Sequence, residues 1–139
     1  MKAGTGQAAI EQLVIMMLLF VVLLSVFIYS NTNAMGSARV EQASEAIRAV
    51  ASAADKIGAM DAGTKMFVGI TLPDGIILAN VSQSEILMRV ETPSGETDVV
   101  ESPNTQMTGN LPTGAGVYTV QLEVLNTSVV NISTVSEPV

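Results

Sequence analysis

The chain has no cysteine, no histidine and no tryptophan. Without cysteine no disulfide staples a small domain, so the folded part rests on its apolar core, on its neighbours in an assembly, or on both. Without histidine the commonest general base and metal ligand is missing. Without tryptophan the case for stacking on sugars or bases is weak. Basic residues are scarce, 6 against 13 acidic ones, for a net charge of −7. No basic cluster exists, so nucleic acid has no electrostatic footprint here. An acidic outer portion repels anionic lipid surfaces. Serine and threonine are plentiful, but no histidine, cysteine or serine elbow stands ready to activate them, and no enzyme is expected. Asp74, Glu85, Glu91, Glu96, Asp98 and Glu101 form no D-x-[DN]-x-[DN]-G loop and read as solvated surface charge, with no metal. Gly114-x-Gly116 is too short for a phosphate loop and precedes a strand. No cofactor is expected.

What is present begins with a long apolar run. Gln12 to Ala38 holds no charged residue, and Leu13 to Tyr29 holds one polar side chain, Ser25. A bilayer core takes about 20 apolar residues as helix, so this run is long enough to span. Gln7 to about Met60 reads as one long helix, apolar all round in its first half. In its second half Val40, Ala43, Ile47, Val50, Ala54 and Ile57 recur at spacings of three and four, the stripe of helix-on-helix packing. Arg39, Glu41, Glu45, Arg48, Asp55 and Lys56 fall off the stripe. Two readings stay open: the stripe packs on neighbouring subunits, or it covers the β region of its own chain. Ser30 to Asn33 and Gly36 have weak helix propensity and mark a kink or the exit from a membrane. Gly58 and Gly63 end the helix.

From Thr64 onward the pattern is β. Candidate strands start at Met66, Ile76, Ile86, Thr97, Thr105, Tyr118 and Val130, separated by turns at Pro73-Asp74-Gly75, Thr92-Pro93-Ser94-Gly95 and Leu111 to Gly116. The expected fold class is α+β: a long N-terminal hydrophobic helix followed by a small antiparallel β-sandwich-like head. The expected division is a leader at 1–6, the helix at 7–60 and a β-rich outer domain at 61–139.

The segment Gly6-Gln7-Ala8-Ala9-Ile10-Glu11-Gln12-Leu13 resembles the class III signal peptide of archaeal type IV pilins. In that family a prepilin peptidase cuts after a glycine, before the apolar run, and a glutamate is the fifth mature residue. The resemblance covers about 30 residues, and Gly63-Thr64 leading into a first strand extends it weakly. It implies cleavage between Gly6 and Gln7, although Thr5 stands where the family usually has a charged residue. It also implies a type IV pilin-like fold and a precursor in the cytoplasmic membrane. The mature chain would be a structural subunit of an extracellular adhesive filament on the cell surface. Its partners would be copies of itself, the prepilin peptidase and a membrane assembly platform with a cytoplasmic ATPase. The rival cut is by ordinary signal peptidase, beyond the apolar run among Ser30 to Ala38. The length of the run and Glu11 at its edge weigh against it. Lys2 on the cytoplasmic side leaves the C-terminal region outside.

A carboxylate at the edge of an apolar helix is costly unless paired. Glu11 is therefore expected to meet the free amine of Gln7 on an adjacent subunit and set register. The alternative is a solvated Glu11 at headgroup depth near the helix N-terminus. Three N-x-[ST] sequons begin at Asn80, Asn126 and Asn131, where chance alone gives roughly one, so the motif is weak. Three other functions remain in view: a membrane-anchored binding module that does not polymerise, a subunit of the archaeal flagellar filament, and an uncleaved single-span protein within a larger membrane complex.

Overall fold

The computed structural model describes residues 3–126 and 128–136. It shows one N-terminal helix followed by seven strands, an α+β layout. Helix α1 runs Ala3–Gly58, and the strands are β1 Lys65–Leu72, β2 Ile76–Val81, β3 Ile86–Thr92, β4 Gly95–Glu101, β5 Gln106–Gly109, β6 Gly116–Asn126 and β7 Val129–Ser136. The chain forms two compact units, with the boundary inside α1 between Ala34 and Met35.

In the first unit α1 begins at Ala3, ahead of the Gln7 start that the sequence implies. Gly4 and Gly6 are poor helix formers, but extending an existing helix gains a hydrogen bond per residue without a new nucleus. Met1 and Lys2 lie outside the described residues. The weak stretch at Ser30 to Asn33 is helical too. Here Thr32 Oγ1 turns back on the carbonyls of Ile28 and Tyr29 (3.1 and 2.9 Å), as Ser25 Oγ does on Val21 (2.8 Å). Such back-bonding lets a hydroxyl sit in a helix without an unsatisfied donor.

In the second unit the seven strands make two sheets, ordered β1-β6-β7-β5 and β2-β3-β4. Six of the strands follow antiparallel pairings, but β5 runs parallel to β7, with Gln106 opposite Val129 and Gly109 opposite Ile132. The all-antiparallel expectation fails there because β5 enters from the other sheet through the loop at 102–105. That loop is held on the helix: Asp55 Oδ1 accepts the backbone N–H groups of Asn104 and Thr105 at 2.8 and 3.1 Å. Gly109 closes β5 at φ +121°, and a Cβ on it would run into the backbone of Ile132.

Alternation dictates which face each strand buries. Ile70 and Leu72 of β1, Ile86, Met88 and Val90 of β3, Tyr118 to Val124 on alternate positions of β6, and Val130 and Ile132 of β7 all enter one core with α1. The helix contributes Ala43, Ala46, Ile47, Val50, Ala51, Ala53, Ala54 and Ile57, each 6 % exposed or less. At 100° per residue these positions cover about 160° of the helix, wider than a two-in-seven seam. Closest approach comes at two glycines. A Cβ on Gly36 would lie 2.9 Å from Pro93 Cδ, and one on Gly58 would strike the Thr105 side chain.

Candidate functional site

The dominant surface feature is the apolar half of α1. Every large hydrophobic residue from Ile10 to Tyr29 is exposed, from 47 % at Leu24 to 70 % at Tyr29. A helix exposed and apolar on all sides needs lipid or other apolar helices around it. This segment is long and apolar enough to cross a membrane by length and composition. Gly6, Gln7 and Glu11 are all exposed on the same helix. Gln7 and Glu11 are four residues apart and share one face.

The amphipathic stripe lies elsewhere. Ala43, Ile47, Val50, Ala54 and Ile57 are fully buried in the core of their own chain, and Val40 is half-buried at its margin. Of the two readings of this stripe, the intramolecular one describes these residues: they share one buried hydrophobic cluster with residues of β1, β3, β5, β6 and β7. The sequence showed the period but not the width of the face. The extra positions Ala46, Ala51 and Ala53 mark a globular packing face, and alanine is too ambiguous in a sequence to declare that.

Charged residues off the stripe fasten the helix to the strand ends. Arg39 forms a two-pronged pair with Asp74 in the β1–β2 turn, at 3.0 and 2.7 Å. Arg48 reaches Glu101 at 3.3 Å. On the sheets, Lys65 meets Glu123 at 3.5 Å, and Arg89 pairs with Asp98 through two bonds of 2.6 and 2.9 Å, with Glu96 at 3.7 Å. The Arg89 hydrogen bonds hold the Asp98 carboxyl below the usual carboxylate range, and the Arg89 guanidinium is pushed upward in turn, chiefly by the same hydrogen bond. These contacts, with Gly36 against Pro93 and Asp55 on the 104–105 backbone, are what the sequence reading missed. Apart from the Arg89 pairs, which join neighbouring strands across a short turn, each joins residues at least 35 positions apart, and no local pattern announces them.

Among the described residues no group of three or more acidic, histidine or cysteine side chains is placed to hold a metal ion. The six acidic residues singled out in the sequence are dispersed. Asp74, Glu96, Asp98 and Glu101 pair with arginines, while Glu85 lies in the β2–β3 connection and Glu91 stands opposite Glu96 on β4. A groove of about 390 Å³ between α1 and β1 is lined by Gln42, Glu45, Ala46, Ala49, Gly69, Ile70 and Thr71. Its ionisable group is Glu45, alongside the polar side chains of Gln42 and Thr71.

The three sequons fall in different settings. Asn80 is exposed on β2, Asn126 is exposed at the end of β6, and Asn131 is half-buried inside β7. The Asn126 side-chain oxygen accepts the Ser128 N–H at 3.2 Å. Thr127, the middle residue of that sequon, lies outside the described residues. Compared with models of known protein families, with characterised proteins and with solved structures, the chain shows no significant match.

Proposed function

We propose that the chain is a structural subunit of an archaeal type IV pilus-like extracellular filament, with a small β-sandwich-like head of the type IV pilin kind. The observation that carries this reading is the contrast within α1. Its first half is apolar and exposed on every side, while its second half is already consumed by the core of its own head. Inter-subunit packing is therefore assigned to the segment before Ala38, and the stripe from Val40 to Ile57 is withdrawn from it.

The precursor inserts with this helix in the cytoplasmic membrane and the head outside. A prepilin peptidase cuts between Gly6 and Gln7. Copies then leave lipid and pack helix on helix, driven by burial of apolar surface at about 25 cal/mol per Å². The Gln7 amine of one copy neutralises Glu11 of the next. An assembly platform and its ATPase supply the work, and the heads are left outside for adhesion. A second reading has its own support. The head core closes within one chain and needs no neighbour, as a monomeric membrane-anchored binding module requires. A flagellar filament subunit is a third reading, which the apolar helix alone does not separate from a pilus.

The deciding experiment is mass spectrometry of the intact protein from cells, with negative-stain images of sheared surface material. A chain starting at Gln7 within thin filaments is the expected result. A chain starting at Met1 and remaining with membranes would leave the anchored module and end the Gln7–Glu11 pairing. Glu11→Ala is expected to abolish filaments while leaving the head folded; normal filaments from that variant would remove the register role.

A further inference from the structure

The outer face of the β2-β3-β4 sheet is ordered in rows. Ile86, Met88 and Val90 of β3 point into the core, so Leu87 and Arg89 face outward. Asn80 stands opposite Leu87, and Leu87 opposite Val100. Beside that row, Leu78 stands opposite Arg89, and Arg89 opposite Asp98. Leu78 and Val100 are 44 % and 45 % exposed. The result is a small apolar patch of Leu78, Leu87 and Val100, bordered by an ion pair and ended by an asparagine.

That asparagine opens a sequon, Asn80-Val81-Ser82. We propose that Asn80 is an N-linked glycosylation site and that its glycan lies across the Leu87–Val100 row. The proposal rests on the head being outside the cell, as in the function proposed above. Three observations separate Asn80 from Asn131. Asn80 is exposed, whereas Asn131 is half-buried. β2 is the last strand of its sheet, whereas β7 is paired on both sides, with Asn131 opposite Glu123 on β6 and Thr108 on β5. β2 ends at Val81, so Ser82 already lies in a turn and the sequon can bend into an enzyme cleft without breaking two ladders. The Asn80 amide nitrogen donates only a long hydrogen bond to Ser82 Oγ, 3.5 Å, and stays available.

The donor is a sugar activated on a lipid-borne phosphate or diphosphate. Asn80 Nδ2 attacks the anomeric carbon, the new C–N bond forms, and the C–O bond to phosphate breaks. The lipid phosphate leaves, and the amide proton passes to the transferase base. A sugar suits this patch better than a second copy of the chain. Three apolar side chains fall far short of the ~800 Å² per partner that a stable protein interface buries. A pyranose, by contrast, sets an apolar face on leucine and valine and its hydroxyls toward Arg89 and Asp98.

The test uses full-length protein harvested from the cells that make it. Trypsin leaves residues 66–89 as one peptide holding Asn80 and no other sequon. That peptide is expected to carry a glycan mass, to lose it in Ser82→Ala, and to keep it in Ser82→Thr. Both variants retain Asn80, so a folding defect would not imitate the result. Ser82→Ala is also expected to raise binding of an apolar dye several-fold; unchanged binding would overturn the covering role. A bare 66–89 peptide, or heads that self-associate through this face while Asn80 is bare, would overturn the proposal. The N-terminal residue and filament images of the same sample keep the two ideas apart. Filaments with bare Asn80 reject the glycan alone, and glycosylated Asn80 without filaments rejects the assembly alone.

Discussion

The two halves of α1 are built from the same helix-forming chemistry and end in opposite environments. Before Ala34 the helix carries Leu, Val, Ile, Phe and Met on every face and leaves all of them exposed. After Met35 it carries small alanines and a few isoleucines and valines on one broad face, and buries most of them in the core, with Val40 half-buried at the margin. Large side chains on every face leave a helix in need of many equivalent neighbours. Small side chains on one face let two sheets close around it. The difference shows that helicity here is common to both regions, while partner choice is decided by side-chain size and its distribution around the axis.

The largest expected effect comes from cutting the regions apart. A chain of residues 35–139 should be a soluble, cooperatively folding monomer by sedimentation and circular dichroism, while the full chain sediments with membranes or filaments. An unfolded or polymeric 35–139 would show that the head depends on its neighbours. Next, Ile47→Ala should cost the head about 2–5 kcal/mol in chemical denaturation, since Ile47 is fully buried. Ile15→Ala, 67 % exposed, should leave that denaturation midpoint unchanged and alter only assembly or membrane partition. Equal effects would erase the contrast between the halves.

Glycine substitutions sharpen the same comparison at smaller scale. Gly4→Ala meets nothing within 4 Å and, in the uncleaved precursor, should raise helix content slightly, by less than the ~1 kcal/mol of an interior position. Gly36→Ala pushes a methyl toward Pro93 and should lower head stability by about 1 kcal/mol despite alanine's better propensity. Helix content in detergent and the thermal midpoint of the head are the two readouts. The smallest effect concerns Asp98. Its folded-state pKa is depressed by Arg89, so its contribution is present above the ordinary carboxylate pKa and fades as pH falls through the depressed value. The thermal midpoint of Asp98→Asn should lie slightly below that of the parent near neutral pH and converge with it in acid. A constant gap across pH would show that the Arg89 pair does not supply the difference.

Much of the strand layout was legible because β1, β3 and β6 alternate cleanly, with polar residues and turn signals between them. Ile76–Val81 was readable as a short apolar run between turns. The parallel placement of β5 was not, since four residues carry no directional signal and direction comes from a loop anchored on Asp55. The exposed apolar surface of the candidate site was equally plain in Leu13 to Tyr29. The fate of the Val40–Ile57 stripe was hidden, because a three-and-four spacing describes a helix face without saying which chain covers it.

Sequence by itself determined that the run from Gln12 to Ala38 is uncharged, and that its Leu13–Tyr29 part is apolar all round and close to the length that spans lipid, since those properties belong to side chains taken one at a time. It also determined that this chain supplies no histidine or cysteine side chain. Tertiary structure decided that the alanine face is intramolecular core, that β5 lies parallel to β7, and that Asn80, Leu87 and Val100 share one row. Those facts depend on register and closure between residues distant in the chain, and a one-dimensional pattern leaves them open until the two sheets close on the helix.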